Sequence, residues 1–222
     1  MLSEIDFRVR YAIYAMFAEG GVPRAASLSS RLHIPQPAIR ESYERLHAAR
    51  AIVLDPNTKE VWMAHPFSAV PTDFRVLAEG RSWFANCAWD AFGIAILTGV
   101  DSVLTTTCLD CEGPIVHRVE GRRLVDAHGV VHFVVPAAKW WDNIGLTCST
   151  IRFFRSEEHV LNWSAQSEMP IGAIMPVANL WQLTQHWYDG RLSPDWKPRP
   201  REWSQELLSD AGFTGSFWTL AG

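Results

Sequence analysis

The stretch SWFANCAWDAFG, residues 82–93, sets a thiol, Cys87, and a carboxyl, Asp90, three residues apart in a run otherwise suited to burial. On a helix that spacing projects both side chains from about the same face. Facing a packed core, such a cysteine is an inert small hydrophobe. Facing a cavity, the thiol can capture a soft electrophile or metal while the carboxyl accepts or delivers a proton. Asp90 favours the cavity, because an ionisable carboxyl in an apolar stretch must be paired, protonated or exposed. Burial predicts a raised pKa for Asp90, and so a better proton donor near neutral pH.

The chain has four cysteines, Cys87, Cys108, Cys111 and Cys148. Cys148, in GLTCSTIRFF, reads alone as a core residue just before or at the start of a strand. Convergence of Cys87 and Cys148 would make a pair of thiolates, the ligand set that selects Hg, Cu(I), Cd or Zn over hard cations. Cys108 and Cys111, in TTCLDCEG, form half of a four-thiolate zinc pattern whose other half is missing, and their turn setting does not suit thioredoxin-like chemistry. A structural or auxiliary role is expected for both, with metal binding as the alternative. His117, His128 and His132 alternate with apolar residues, which places them at the surface or a sheet edge. There is no HExxH, GxGxxG, P-loop or GxSxG, so the simplest nucleotide-binding and hydrolase functions find no support.

Several elements must position these groups. Ile5, Val9, Ala12, Ile13, Met16 and Phe17 recur at helical spacing, and two further helices, separated by HIP, lead into a short hairpin around DPNTKE. That order is the plan of a winged helix. Glu41 and Glu44 interrupt the arginines of its last helix, so a structural or substrate-covering role is expected rather than DNA reading. A Pro-punctuated connector follows, then a helix over about 84–98, ended near Gly99. SVLTTTC, PIVHRV, VVHFVVP, STIRFF and IGAIMP read as strands. SEEHVLNWSAQ, VANLWQLTQHWYDG and residues from about Arg201 to Ser209 read as helices, the first capped by Ser156. The implied fold class is α+β, with a winged-helix-like helical unit over 1–68 packed on a unit of antiparallel sheet and helices over 69–222.

Of the 222 residues, 48% are hydrophobic, 20% are charged and eleven are Trp. The tryptophans concentrate toward the C-terminal part, where they imply an aromatic core, a lid or an apolar pocket. Formal net charge is -4, and residues 1–70 carry 8 Lys and Arg against 7 Asp and Glu. This balance offers no general attraction to nucleic acid or anionic membrane. The amphipathic start is neither a secretory signal nor a span, so a cytoplasmic protein with reduced thiols is expected.

The ordered set of motifs resembles the organomercurial lyase (alkylmercury lyase) family. NCAWDAFGIAILTG carries its CxxD as Cys87 and Asp90. VLTTTCLDCEGPI places Cys108 at a largely structural cysteine. GLTCSTIRFF supplies Cys148, the second catalytic cysteine, ahead of Phe153 and Phe154. The likeness spans roughly residues 20–190; Cys111 and the Trp-rich segment after about 190 are departures from it. The resemblance implies protonolysis of a carbon–mercury bond, with Cys87 and Cys148 binding mercury and Asp90 handling the proton. It implies an organomercurial or other apolar substrate, Hg(II) as bound product with Asp90 as a further ligand, and no required cofactor. Low-molecular-weight thiols, or a thiol-bearing acceptor such as mercuric reductase, would take the ion away. The same three residues could serve another soft electrophile, and a non-enzymatic metal-binding or regulatory protein is the remaining alternative.

Overall fold

A computed structural model describes residues 2–221. Three helices come first: α1 (Glu4–Ala18), α2 (Ala25–Leu32) and α3 (Gln36–Ala48). Ser3 starts α1 through a capping box with Asp6, leaving Asp6 buried. There its carboxylate accepts from Ser42 at 2.7 Å and from Arg45 at 3.1 Å, joining α1 to α3. The α2 N-terminus has no cap of its own; Glu60, from the following hairpin, accepts from the Ala25 amide at 2.9 Å.

The strands β1 (Val53–Leu54), β2 (Val61–Ala64), β3 (Phe67–Ser68), β4 (Phe74–Ala78) and β5 (Arg81–Ala85) come next. The central helix α4 (Ala88–Thr98) is followed by β6 (Ser102–Thr107), β7 (Pro114–Glu120) and β8 (Arg123–Leu124). These strands form one eight-stranded antiparallel sheet in the order β1-β2-β3-β5-β4-β6-β7-β8. Residue 68 therefore ends β3 within a continuous sheet. A second sheet, in the order β10-β9-β11, comprises β9 (Val130–Phe133), β10 (Arg152–Phe154) and β11 (Ala173–Pro176). The remaining helices are α5 (Ile144–Thr150), α6 (Glu157–Ser167), α7 (Val177–Trp187) and α8 (Arg201–Asp210). This is the α+β arrangement that the element pattern implies: a helical N-terminal region packed on a core of sheet and helices.

Helix α4 organises the core. Residues 88–96 are buried on every face, as expected of a helix that is apolar all round. It packs on β4 and β5 on one side and on α7 on the other. Its large side chains, such as Phe92 and Ile94, each contribute about 1.5–3 kcal/mol by leaving water. Gly93 lets α7 come close: a Cβ there would stand 2.8 Å from a ring carbon of Tyr188 and 2.9 Å from Pro66. Trp83 ties α1 to the sheet by donating to the Phe17 carbonyl at 2.6 Å, and the Phe17 and Phe67 rings stack at 5.2 Å.

Two expectations are corrected. The helix expected over 84–98 begins at Ala88, because Arg81–Ala85 pair as a strand with β4. His117 and His132 are buried rather than at the surface or an exposed edge, whereas His128 is exposed. His117 fills space against Phe92 and Phe153, and His132 lies between Phe154 and Trp163.

Candidate active site

The chain leaves β5 through Asn86 and turns into α4, so Cys87 occupies the N-cap rather than the helix body. Its backbone is extended and its sulfur accepts from the Asp90 amide at 3.3 Å. A cap whose side chain bonds three residues ahead keeps thiol and carboxyl together, as the spacing implies, although by capping geometry. Cys148 lies in α5, a short helix opened by Asn143, whose side chain accepts from Leu146. It is thus in a helix preceding β10, not at the start of a strand. The fold brings Cys87, Asp90 and Cys148 together: the two thiols interact directly, and the Cys148 sulfur and Asp90 carboxylate lie within 4.8 Å of each other and of a His65 ring nitrogen. All three side chains are buried, with Asp90 1% exposed.

The Asp90 carboxylate is held by residues that local spacing does not reveal. Tyr188 donates to Oδ1 at 2.5 Å, Asn86 donates to Oδ2 at 3.0 Å, and His65 Nδ1 stands 3.1 Å from Oδ2. Asn86 is fixed in turn by the carbonyls of Pro66 and Phe67, each at 3.2 Å. Burial would raise the pKa of Asp90, but the charge and hydrogen bond of His65 and the donors Tyr188 and Asn86 outweigh it and lower the value. The expected raised pKa is therefore corrected: Asp90 rests as a carboxylate.

The thiols are pushed the other way. Burial raises Cys87 well above its ordinary range, reinforced by Cys148 and by the Asp90 charge. For Cys148, the hydrogen bond with Cys87 lowers the pKa, yet burial and Asp90 together leave it raised. Burial and the adjacent carboxylate likewise keep Tyr188 a neutral phenol. The site at rest is thus two protonated thiols beside one ionised carboxylate.

A cavity of about 130 Å³ opens on this group. Cys87, Asp90 and His65 line it together with an aromatic wall that includes Trp89, Trp140 and Trp187. Arg50 and Ala51, which follow α3, also line it, and the Arg50 guanidinium sits 5.4 Å from the centre of the Trp141 ring. The N-terminal helical region thereby forms part of the cavity wall. Among the described residues, His65 Nε2 and Trp89 Nε1 are buried without a hydrogen-bond partner.

The profile described as MerB, alkylmercury lyase, matches residues 67–189, more than half of the chain. The chain belongs to the alkylmercury lyase family. A solved structure, described as the mercury-bound form of MerB2, shares the family fold with a TM-score of 0.67. It is 22% identical, over 86% of this chain and 93% of that one, so the likeness is one of fold. Comparison with curated proteins gives no match.

Cys108 and Cys111 stand apart from the cavity lining. Cys108 is buried, Cys111 is exposed, and both sulfurs lie within 4.8 Å of each other and of a His159 ring nitrogen. His159 had no place in the expected site. Its signal in the sequence is its position in the first turn of the helix capped by Ser156.

Proposed function

We propose that this family member is an organomercurial lyase that breaks carbon–mercury bonds by protonolysis. The observation that carries the reading is the meeting of two buried thiols and one ionised carboxylate, of which Cys87 and Asp90 line an apolar cavity. Two sulfurs suit mercury, a soft ion that a hydroxyl would bind poorly.

The substrate enters as R–Hg–SR′, carried by a small thiol. Asp90 accepts the proton of Cys148, and the resulting thiolate bonds to mercury. Cys87 bonds next, its proton leaving with the displaced R′S⁻ as R′SH. Two thiolate donors raise electron density on the bound carbon. Asp90 then passes its proton to that carbon as the C–Hg bond breaks, with the bonding electrons remaining on carbon. The products are R–H, R′SH and Hg²⁺ held by Cys87 and Cys148 beside Asp90. Asp90 is again a carboxylate, and nothing is oxidised or reduced.

His65, Asn86 and Tyr188 keep Asp90 ionised and so available to take a proton at the start, and by lowering its pKa they make the protonated acid readier to give that proton to carbon. The tryptophan walls limit water around that proton. A dry cavity of about 150 Å³ accommodates benzene, so a cavity near 130 Å³ suits alkyl groups and a single aryl ring. Exogenous thiols, or a thiol-bearing acceptor such as mercuric reductase, would remove the ion.

The test is release of benzene from phenylmercury by purified protein in excess thiol. Cys87→Ser, Cys148→Ser and Asp90→Ala should each nearly abolish it. A folded wild-type chain that releases no hydrocarbon overturns the reading.

A further inference from the structure

Outside the cavity, one cluster has chemistry that the lyase reaction does not use. Strand β6 ends at Thr107, and the turn CLDCEG returns the chain to β7. Its backbone closes through Cys108 N to Gly113 O and Glu112 N to Cys108 O, both at 2.9 Å. The closure sends the Cys108 sulfur into the protein and leaves that of Cys111 at the surface. Gly113 makes room for the second thiol: a Cβ there would stand 3.3 Å from the Cys111 sulfur and 3.0 Å from an Arg155 nitrogen.

The same turn also holds the third member of the cluster. Asp110, between the two cysteines, lies 2.5 Å from Nδ1 of His159, and Gln166 donates to its other oxygen at 3.3 Å. A carboxylate on one imidazole nitrogen leaves the other as a lone-pair donor and fixes the ring, the usual support of a metal-binding histidine. With both sulfurs and a His159 nitrogen within 4.8 Å of one another, three ligand atoms are already gathered from two elements.

We propose that Cys108, Cys111 and His159 form a second binding site, distinct from the lyase cavity, for a thiophilic d10 cation, Zn²⁺ or Hg²⁺. Two thiolates and an imidazole are soft enough to exclude Mg²⁺ and Ca²⁺. Two thiolates also balance a divalent charge. Exposure at Cys111 provides the path of entry and leaves a fourth position for a solvent ligand. None of the three ligands lines the Trp-walled cavity, so the inference is independent of the lyase mechanism.

The test uses the reduced chain with Cys87→Ser and Cys148→Ser, titrated anaerobically with Co²⁺ as a spectroscopic probe. One equivalent should bind with a thiolate-to-cobalt charge-transfer band and be displaced by Zn²⁺. Cys111→Ser should remove the band, and Asp110→Asn should weaken binding by about 10- to 100-fold. In case the double variant does not fold, the otherwise wild-type chain should bind one more equivalent of Hg²⁺ or Zn²⁺ than the Cys111→Ser chain. Retention of Zn²⁺ through dialysis would identify a structural ion, and displacement of the bound Co²⁺ by Hg²⁺ would identify a site that also captures cargo; either supports the site. A reduced chain without the thiolate band, or equal stoichiometry with and without Cys111, overturns it.

Discussion

Tyr188 donates its phenolic hydrogen bond to Asp90 at 2.5 Å across 98 residues of chain. The contact fastens the end of α7 to the first turn of α4 and joins His65 and Asn86 in holding ionised the carboxylate on which the proposed reaction turns. Tyr188→Phe removes a donor that lowers the Asp90 pKa, so that pKa should rise. The acid limb of the kcat/KM profile should move to higher pH. Hydrogen bonds to charged groups are worth about 1.5–3 kcal/mol, so turnover should fall by about 10- to 100-fold. A profile that stays in place would remove Tyr188 from the proton path.

Gly93 should tolerate no side chain without cost to the site. A methyl group there would meet Tyr188 at 2.8 Å and Pro66 at 2.9 Å, next to His65. Gly93→Ala is expected to lower stability by about 1–3 kcal/mol through overpacking. It should also shift the acid limb in the same direction as Tyr188→Phe. Thermal unfolding together with a pH–rate profile separates the two effects.

Asp6 should govern acid stability of the N-terminal helices. Burial would raise its pKa, but hydrogen bonds from Arg45, Ser3 and Ser42 take it from 3.8 down to about 2. A folded value below the unfolded one gives stability that is complete above about pH 4 and is lost as pH falls toward 2. The difference corresponds to about 2.5 kcal/mol. Asp6→Asn should therefore be less stable by at least about that amount at pH 7, with the gap closing below pH 4. Denaturant melts across that range provide the measurement.

His117 should act in the adjoining window. Burial against Phe92 and Phe153 lowers its pKa from 6.5 to about 4. The unfolded chain then takes up the proton first, so stability falls as pH drops from 6.5 to 4, by about 3 kcal/mol in all. His117→Phe should remove this slope, whatever constant offset the larger ring introduces. His132, also lowered by burial, should leave a smaller residual slope. An undiminished slope in the variant would assign the proton uptake elsewhere.

What the sequence made legible was local. The apolar repeat of α1, the Ser156 cap of α6 and the C-terminal helix all stand close to where spacing places them. The Cys87 and Asp90 pair was legible because three residues bring the groups together in a cap as well as in a helix. RSWFA was ambiguous, since a short aromatic run suits either a strand or a buried helix. Cys148 read as a core residue just before or at the start of a strand; the Asn143 cap places it in the short helix ahead of β10. His65 and Tyr188 could not be reached by local reasoning, since they lie 25 and 98 residues from Asp90. Nor could the sign of the Asp90 pKa, because burial alone predicts the opposite and only those distant donors reverse it.

Strand β3 hydrogen-bonds to β5, and His65 sits on the link between β2 and β3. Cutting away residues 1–68 would therefore do more than remove a cover. It would leave β5 as a raw margin ready to recruit a stray strand, and would strip Asp90 of its imidazole neighbour. The front third of the polypeptide supplies part of the cavity wall, and on the proposed reading a trimmed version should be judged as a broken enzyme rather than a minimal one.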